Sequence, residues 1–161
     1  MTQFVPSEPL PPSRAASGLA FDLSFLPDGY EGPVRRFARV SLALCLVIIT
    51  VGSLVPPSLA DLAAAGINDK TAHLAGYAGT MLCAAFAVSR RRARWAWGLF
   101  LLGYGALMEW GQAAMALGRD ASLADMAANG AGVFTGAVCA VLIVRLGHSA
   151  ARRGAKDGSR L

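Results

Sequence analysis

The sequence predicts an all-α fold, an integral membrane bundle of four transmembrane helices with both termini cytoplasmic. Three observations predict it. The 161-residue chain is 55% hydrophobic and only 16% charged, where a soluble domain carries about 25% charged residues, and its mean hydropathy is +0.47. Its charges are segregated, which leaves four long windows almost free of them. Basic residues then crowd onto alternate sides of those windows.

The first 36 residues read as a cytoplasmic tail. Pro6, Pro9, Pro11, Pro12, Pro27 and Pro33 interrupt any helical period, and such a segment is expected to be disordered. Its apolar cluster (Phe21, Leu23, Phe25, Leu26) reads as incidental, with contact to the inner membrane surface as the alternative. Residues 40–60 hold no charge and predict the first span, about 38–57, ended by Pro56 and Pro57. The "SLA" of Ser58–Ala60 resembles a signal-cleavage site, but the long preamble argues for a retained span. A short interfacial helix is expected over 58–65, stopped by Gly66.

Residues 71–89 carry only His73 as a titratable base, and predict the second span, capped by Asn68 or Asp69. "SRRRAR" then allows only a tight turn. Residues 95–118 contain the single charge Glu109 and predict a third span, about 95–117. Residues 121–144 contain only Asp125 and predict a fourth, about 122–145. Each window approaches the roughly 20 apolar residues that cross a bilayer. A soluble bundle would show polar outer stripes, and these windows show none. Residues 148–161 form a basic, mobile tail.

Orientation follows from the cations. Arg14, Arg35, Arg36 and Arg39 precede the first span, Arg90, Arg91, Arg92 and Arg94 separate the second and third, and Arg145, Arg152, Arg153, Lys156 and Arg160 follow the fourth. The other two loops hold only Lys70 and Arg119. The basic side is cytoplasmic, so the +5 net charge reflects topology and no nucleic-acid partner is expected. Cys45, Cys83 and Cys139 lack metal or redox spacing and read as small buried hydrophobes.

Polar residues then recur at matching depths. At 1.5 Å per residue, His73, Gln112 and Asp125 lie a little over one turn inside the outer end, and Tyr77, Glu109 and Asn129 about one turn deeper. On each helix they are spaced by three or four, hence on one face: Asp69, His73 and Tyr77; Glu109 and Gln112; Asp125 and Asn129. An acid at a membrane-helix centre costs about 2.5–3.5 kcal/mol to insert, so these groups are expected to face one another or water. Lys70 and Arg119 stand at the mouth to pair with the acids. Gly132 and Gly136 form a GxxxG pair for close helix packing, and Gly76 and Gly79 offer a second small-residue face.

These residues carry a resemblance. "DKTAHLAGY" (Asp69–Tyr77), "EWGQ" (Glu109–Gln112), then Arg119, Asp125, Asn129, Gly132 and Gly136 in order resemble the pattern of the VanZ-like membrane proteins, over about residues 69–145. That family takes its name from a resistance determinant for the glycopeptide teicoplanin. The resemblance implies a multi-pass protein of the bacterial cytoplasmic (inner) membrane acting in cell-envelope biology or antibiotic response. It implies no cofactor and no reaction.

Each polar residue also has a plainer reading. Ser122 and Asp125 fit a capping box. Asn129 fits interhelical hydrogen bonding, and Glu109 an ion pair with Arg119. His73 fits a solvated interfacial histidine. Three functions are weighed. The cluster binds a polar headgroup, from a lipid-linked envelope precursor or an amphiphilic glycopeptide; this reading is preferred. Alternatively Glu109, Asp125 and His73 act as acid and base of an intramembrane enzyme, although no nucleophile stands out. Or the cluster only holds a scaffold together. One histidine with two acids is a thin metal site, so no metal is expected. Membrane lipids are expected partners, and homo-oligomerisation is left open.

Overall fold

A computed structural model describes residues 22–55, 68–115 and 122–158. Four helices account for most of them: α1 (Glu31–Leu54), α2 (Asp69–Ala87), α3 (Arg91–Ala114) and α4 (Leu123–Gly158). No strand occurs among the described residues. The expected interfacial helix at 58–65 and the tails at 1–21 and 159–161 lie outside them.

Helix α2 is the hub. It packs most extensively on α4 and next on α1, while α3 touches the other helices more sparsely. Glycine sets the closest contact. A Cβ on Gly132 would lie 2.5 Å from the Leu74 carbonyl oxygen and 2.9 Å from Tyr77 Cβ, and one on Gly136 would collide with the Ala78 carbonyl. The GxxxG pair of α4 therefore lies directly on the α2 backbone, as small-residue seams do. Gly76 faces only the Ile49 side chain at an ordinary 3.6 Å, and Gly79 meets nothing within 4 Å, so a second close seam on α2 does not form.

The helices extend beyond the expected boundaries. α1 begins at Glu31, because Pro27–Tyr30 form a turn with Gly29 at φ +86°, a conformation glycine adopts without steric cost. Glu31 then pairs with Arg35 one turn on, at 2.6 Å. Arg35 and Arg39 donate to the Phe86 and Ala87 carbonyls at 3.3 Å. α2 has no basic residue in its own last turn, so cations from α1 satisfy the carbonyls that end it. α4 continues to Gly158, a length of about 54 Å, so residues 148–158 are helical and not a coil.

The segment before α1 is packed. Leu23 is 1% exposed and clusters with Ala85 and Ala140. The Phe25 ring lies on Gly147, where a Cβ would come within 2.5 Å of it, and meets His148 edge-on at 5.2 Å. His148 also reaches the Asp22 carbonyl at 3.1 Å. The apolar cluster of the tail is thus a docking segment for α4, not an incidental run.

Two helices are long and apolar enough to cross a membrane, Glu31–Leu54 and Leu123–Asp157. α2 and α3 fall below that apolarity because Lys70 and His73 open one and Glu109 and Gln112 close the other. Between their charged ends the helices nevertheless carry an apolar exterior. On α1, Phe37, Val40, Leu44, Val47, Ile48 and Val51 are all more than half exposed, as are Trp95, Leu99, Leu107 and Trp110 on α3 and Phe134 on α4. Cys139 is exposed and Cys45 and Cys83 are partly so, which corrects the expectation that all three are buried.

Candidate functional site

The polar residues gather at the end of the bundle where α2 and α4 begin and α3 ends. Asn68 caps α2, accepting from the Lys70 N–H at 3.0 Å, and this starts the face that carries Asp69, His73 and Tyr77. Their spacing of four aligns them. Ser122 opens α4, and its hydroxyl accepts from the Asp125 N–H at 3.2 Å. The seam of Gly132 and Gly136 then holds the two faces together.

At the centre, the His73 Nδ1 and Asn129 Oδ1 lie 2.9 Å apart. With the amide oxygen as acceptor, the ring carries its proton on Nδ1. The Glu109 Oε1 lies 3.9 Å from the same nitrogen. On the other side of the ring, His73 Nε2 stands 3.8 Å from Asp69 Oδ1. Lys70 Nζ stands 3.7 Å from Asp125 Oδ1, beyond hydrogen-bond length. Asp69, His73 and Asp125 each offer a ligand atom within 4.8 Å of the others.

Burial makes the arrangement costly. Glu109 and Asn129 are each 2% exposed. Four buried polar atoms lack a hydrogen-bond partner among the described residues: Tyr77 Oη, Glu109 Oε1, Asp125 Oδ1 and Asn129 Nδ2. An unpaired buried group forfeits its full desolvation cost, about 1–3 kcal/mol for a neutral one and more for a charge. Gly105 opens space here, since a Cβ on it would touch Asn129 Nδ2 at 3.0 Å and Tyr77 Oη at 3.3 Å.

Glu109 has a second task that sequence reasoning assigned elsewhere. In a capping box the acid three residues into the helix returns a bond to the cap N–H. Here the Ser122 N–H donates to Glu109 Oε2 at 3.1 Å, so the acid that completes the α4 cap comes from α3. Asp125 contributes only its backbone to that cap, and its carboxylate turns to Lys70 and His73.

The remaining site residues divide. Gln112, 4% exposed, donates to the Ser53 carbonyl at 2.9 Å and ties the end of α3 to α1, away from His73. Tyr77 packs with Met81, Leu101 and Val133 and brings only its hydroxyl to the cluster. Arg119 lies outside the described residues. Sequence reasoning missed the hydrogen bond between Thr50 of α1 and Tyr104 of α3. Two hydroxyls inside otherwise apolar windows were the available signal.

A lateral groove of about 680 Å³ runs between α2, α3 and α4, and none of the polar-cluster residues lines it. It begins at Gly130, next to Asn129, and passes Leu99, Leu102, Phe134 and Val138 to reach Arg91, Arg94 and Arg145. Comparison with protein families, with characterised proteins and with solved structures brings no match to this chain.

Proposed function

We propose that the chain is a VanZ-like, four-span protein of the bacterial inner membrane, with both termini cytoplasmic. In this reading its polar cluster opens outward and receives the headgroup of an amphiphilic or lipid-linked envelope ligand, a glycopeptide included. The observation that carries the reading is the inside-out polarity of the bundle. A buried carboxylate and a buried amide meet a half-buried imidazole at one end, while α1, α3 and α4 are apolar on the outside between their charged ends. Water-soluble monomers rarely show such an exterior, and ionisable groups within membrane segments face the bundle interior and mark function.

The lateral groove supports the same reading. Its apolar walls suit an acyl or isoprenoid chain. The unpartnered Tyr77, Glu109 and Asn129 atoms supply a donor–acceptor set for a polar headgroup.

The test measures membrane abundance and susceptibility to teicoplanin and other envelope-active antibiotics in the same cells. Glu109→Gln and Asp125→Asn nearly preserve shape, so abundance should hold while the susceptibility phenotype disappears, and adding Arg119→Gln should not restore it. A structural network behaves differently. Removing one partner of a buried charge pair destabilises strongly, and removing the second recovers much of the loss. Activity that only tracks abundance, with rescue by Arg119→Gln, would reduce the cluster to a scaffold.

A further inference from the structure

We infer that Asp69, His73 and Asp125 form a binding site for one divalent transition-metal ion, of the Zn2+ or Mn2+ class, at the mouth of the polar cluster. The three ligand atoms already lie within 4.8 Å of one another. Tetrahedral ligands about 2.1 Å from an ion stand roughly 3.4 Å apart, so closure needs a contraction of at most about 1.4 Å. The Asp69 side chain is half exposed, at the open side of the three. An imidazole with two carboxylates selects Zn2+ or Mn2+ over Ca2+ and Mg2+, which take oxygen ligands.

The state of the histidine points the same way. Asn129 Oδ1 accepts from Nδ1, so Nε2 is the ring nitrogen turned to Asp69 Oδ1, at 3.8 Å. A second hydrogen bond on the far ring nitrogen is how metal-binding histidines are oriented and made more basic. Independently, Glu109 is 2% exposed and directs at His73 an oxygen that has no hydrogen-bond donor among the described residues. Asp125 Oδ1 is likewise buried without a hydrogen-bond donor.

Sequence spacing hid the site because Asp69 and His73 share one turn of α2 while Asp125 comes from α4. The α2–α4 seam joins them.

The inference shares residues with the headgroup reading but does not depend on it, since the metal is assayed alone. Full-length protein, purified in detergent and stripped with chelator, is titrated with Zn2+ by calorimetry and with Co2+ by visible absorption. Wild type should bind one equivalent, with a Co2+ spectrum of nitrogen and oxygen ligands. His73→Gln and Asp125→Asn should each weaken binding at least tenfold. Asn129→Ala, which keeps all three ligands, should weaken it about 10–100-fold, the usual effect of removing an outer hydrogen bond. Lys70→Met should tighten binding severalfold, a gain that misfolding cannot imitate. His148→Gln should change nothing. The inference fails if wild type shows no saturable binding, if His73→Gln binds as wild type does, or if loss follows His148 instead. It also fails if Arg119→Gln alone creates binding that wild type lacks, because an arginine then balances the carboxylates.

Discussion

Replacing Gly132 with alanine adds one methyl group at the tightest approach of α4 to α2. That carbon would sit 2.5 Å from the Leu74 carbonyl oxygen, 2.9 Å from Tyr77 Cβ and 3.1 Å from the Ala78 nitrogen. A carbon–oxygen contact settles near about 3.3 Å, so α4 has to retreat by roughly 0.8 Å. A gap of that size forfeits about a quarter to a half of the dispersion energy of each contact it opens. Overpacking of this kind costs about 1–3 kcal/mol. At about 2–4 °C per kcal/mol for a chain of this size, the melting temperature of purified protein in detergent should fall by roughly 2–12 °C. The same retreat would stretch the His73–Asn129 bond from 2.9 Å past hydrogen-bond length, so the cluster should loosen with the seam. Gly79→Ala is the control, because its methyl meets nothing within 4 Å and alanine is about 1 kcal/mol better than glycine inside a helix. Gly79→Ala should hold or raise the melting temperature. If both variants melt alike, glycine is not what brings α2 and α4 together, and the account of how the cluster is assembled is wrong.

Further outcomes follow from other contacts. Reporter fusions after Ala65, Arg92, Asp120 and Arg153 should read outside, inside, outside, inside; a cytoplasmic readout after Ala65 or Asp120 would turn the polar cluster to the wrong face. Thr50→Val and Tyr104→Phe, alone and together, should show a coupling of about 0.6 kcal/mol, and at most about 1.7, the range of such bonds in membrane bundles; zero coupling would mean that α1 and α3 do not meet there. Phe25→Ala should raise amide exchange across residues 23–30 without disturbing the glycine seam. The docked segment also responds to acid. The Ser24 N–H and hydroxyl, with His148 and Arg35 nearby, hold the Asp22 carboxyl below its ordinary value of 3.8. Its contribution is therefore complete above pH 3.8 and lost as pH falls through the lower value of the docked state. Exchange at Leu23–Tyr30 should rise in that window, and Asp22→Asn should show raised exchange already at neutral pH with no further acid step of this origin.

Several features were legible in the sequence because local rules govern them. Four apolar windows predict four helices, since periodicity acts over a few residues, while "SRRRAR", expected to be the turn, supplies only its first two residues to the link and begins α3 at Arg91. The same-face spacing of Asp69, His73 and Tyr77, and of Asp125 and Asn129, is a property of any helix. Matching depth marked His73, Glu109, Asp125 and Asn129 as convergent, but it also marked Gln112, which bonds Ser53 of α1 instead. The boundaries were less legible. Proline-rich composition hid a docked segment, because Leu23 and Phe25 gain their partners from Ala85, Ala140 and Gly147, more than 60 residues away in sequence.

By itself, then, the sequence determined the helical class, the order of the elements and the face on which each polar side chain stands. Only the tertiary structure decided partners. It gave the cap of α4 to Glu109 instead of Asp125, used Gln112 to tie α3 to Ser53, and turned the Arg35 and Arg39 side chains to the end of α2. It also set Asp125 beside Asp69 and His73. The physical reason is that helix periodicity fixes a direction in space but not what occupies it. Which neighbour arrives depends on how closely two backbones approach, and here that distance is set by two hydrogen atoms, at Gly132 and Gly136, where any other residue would place a carbon.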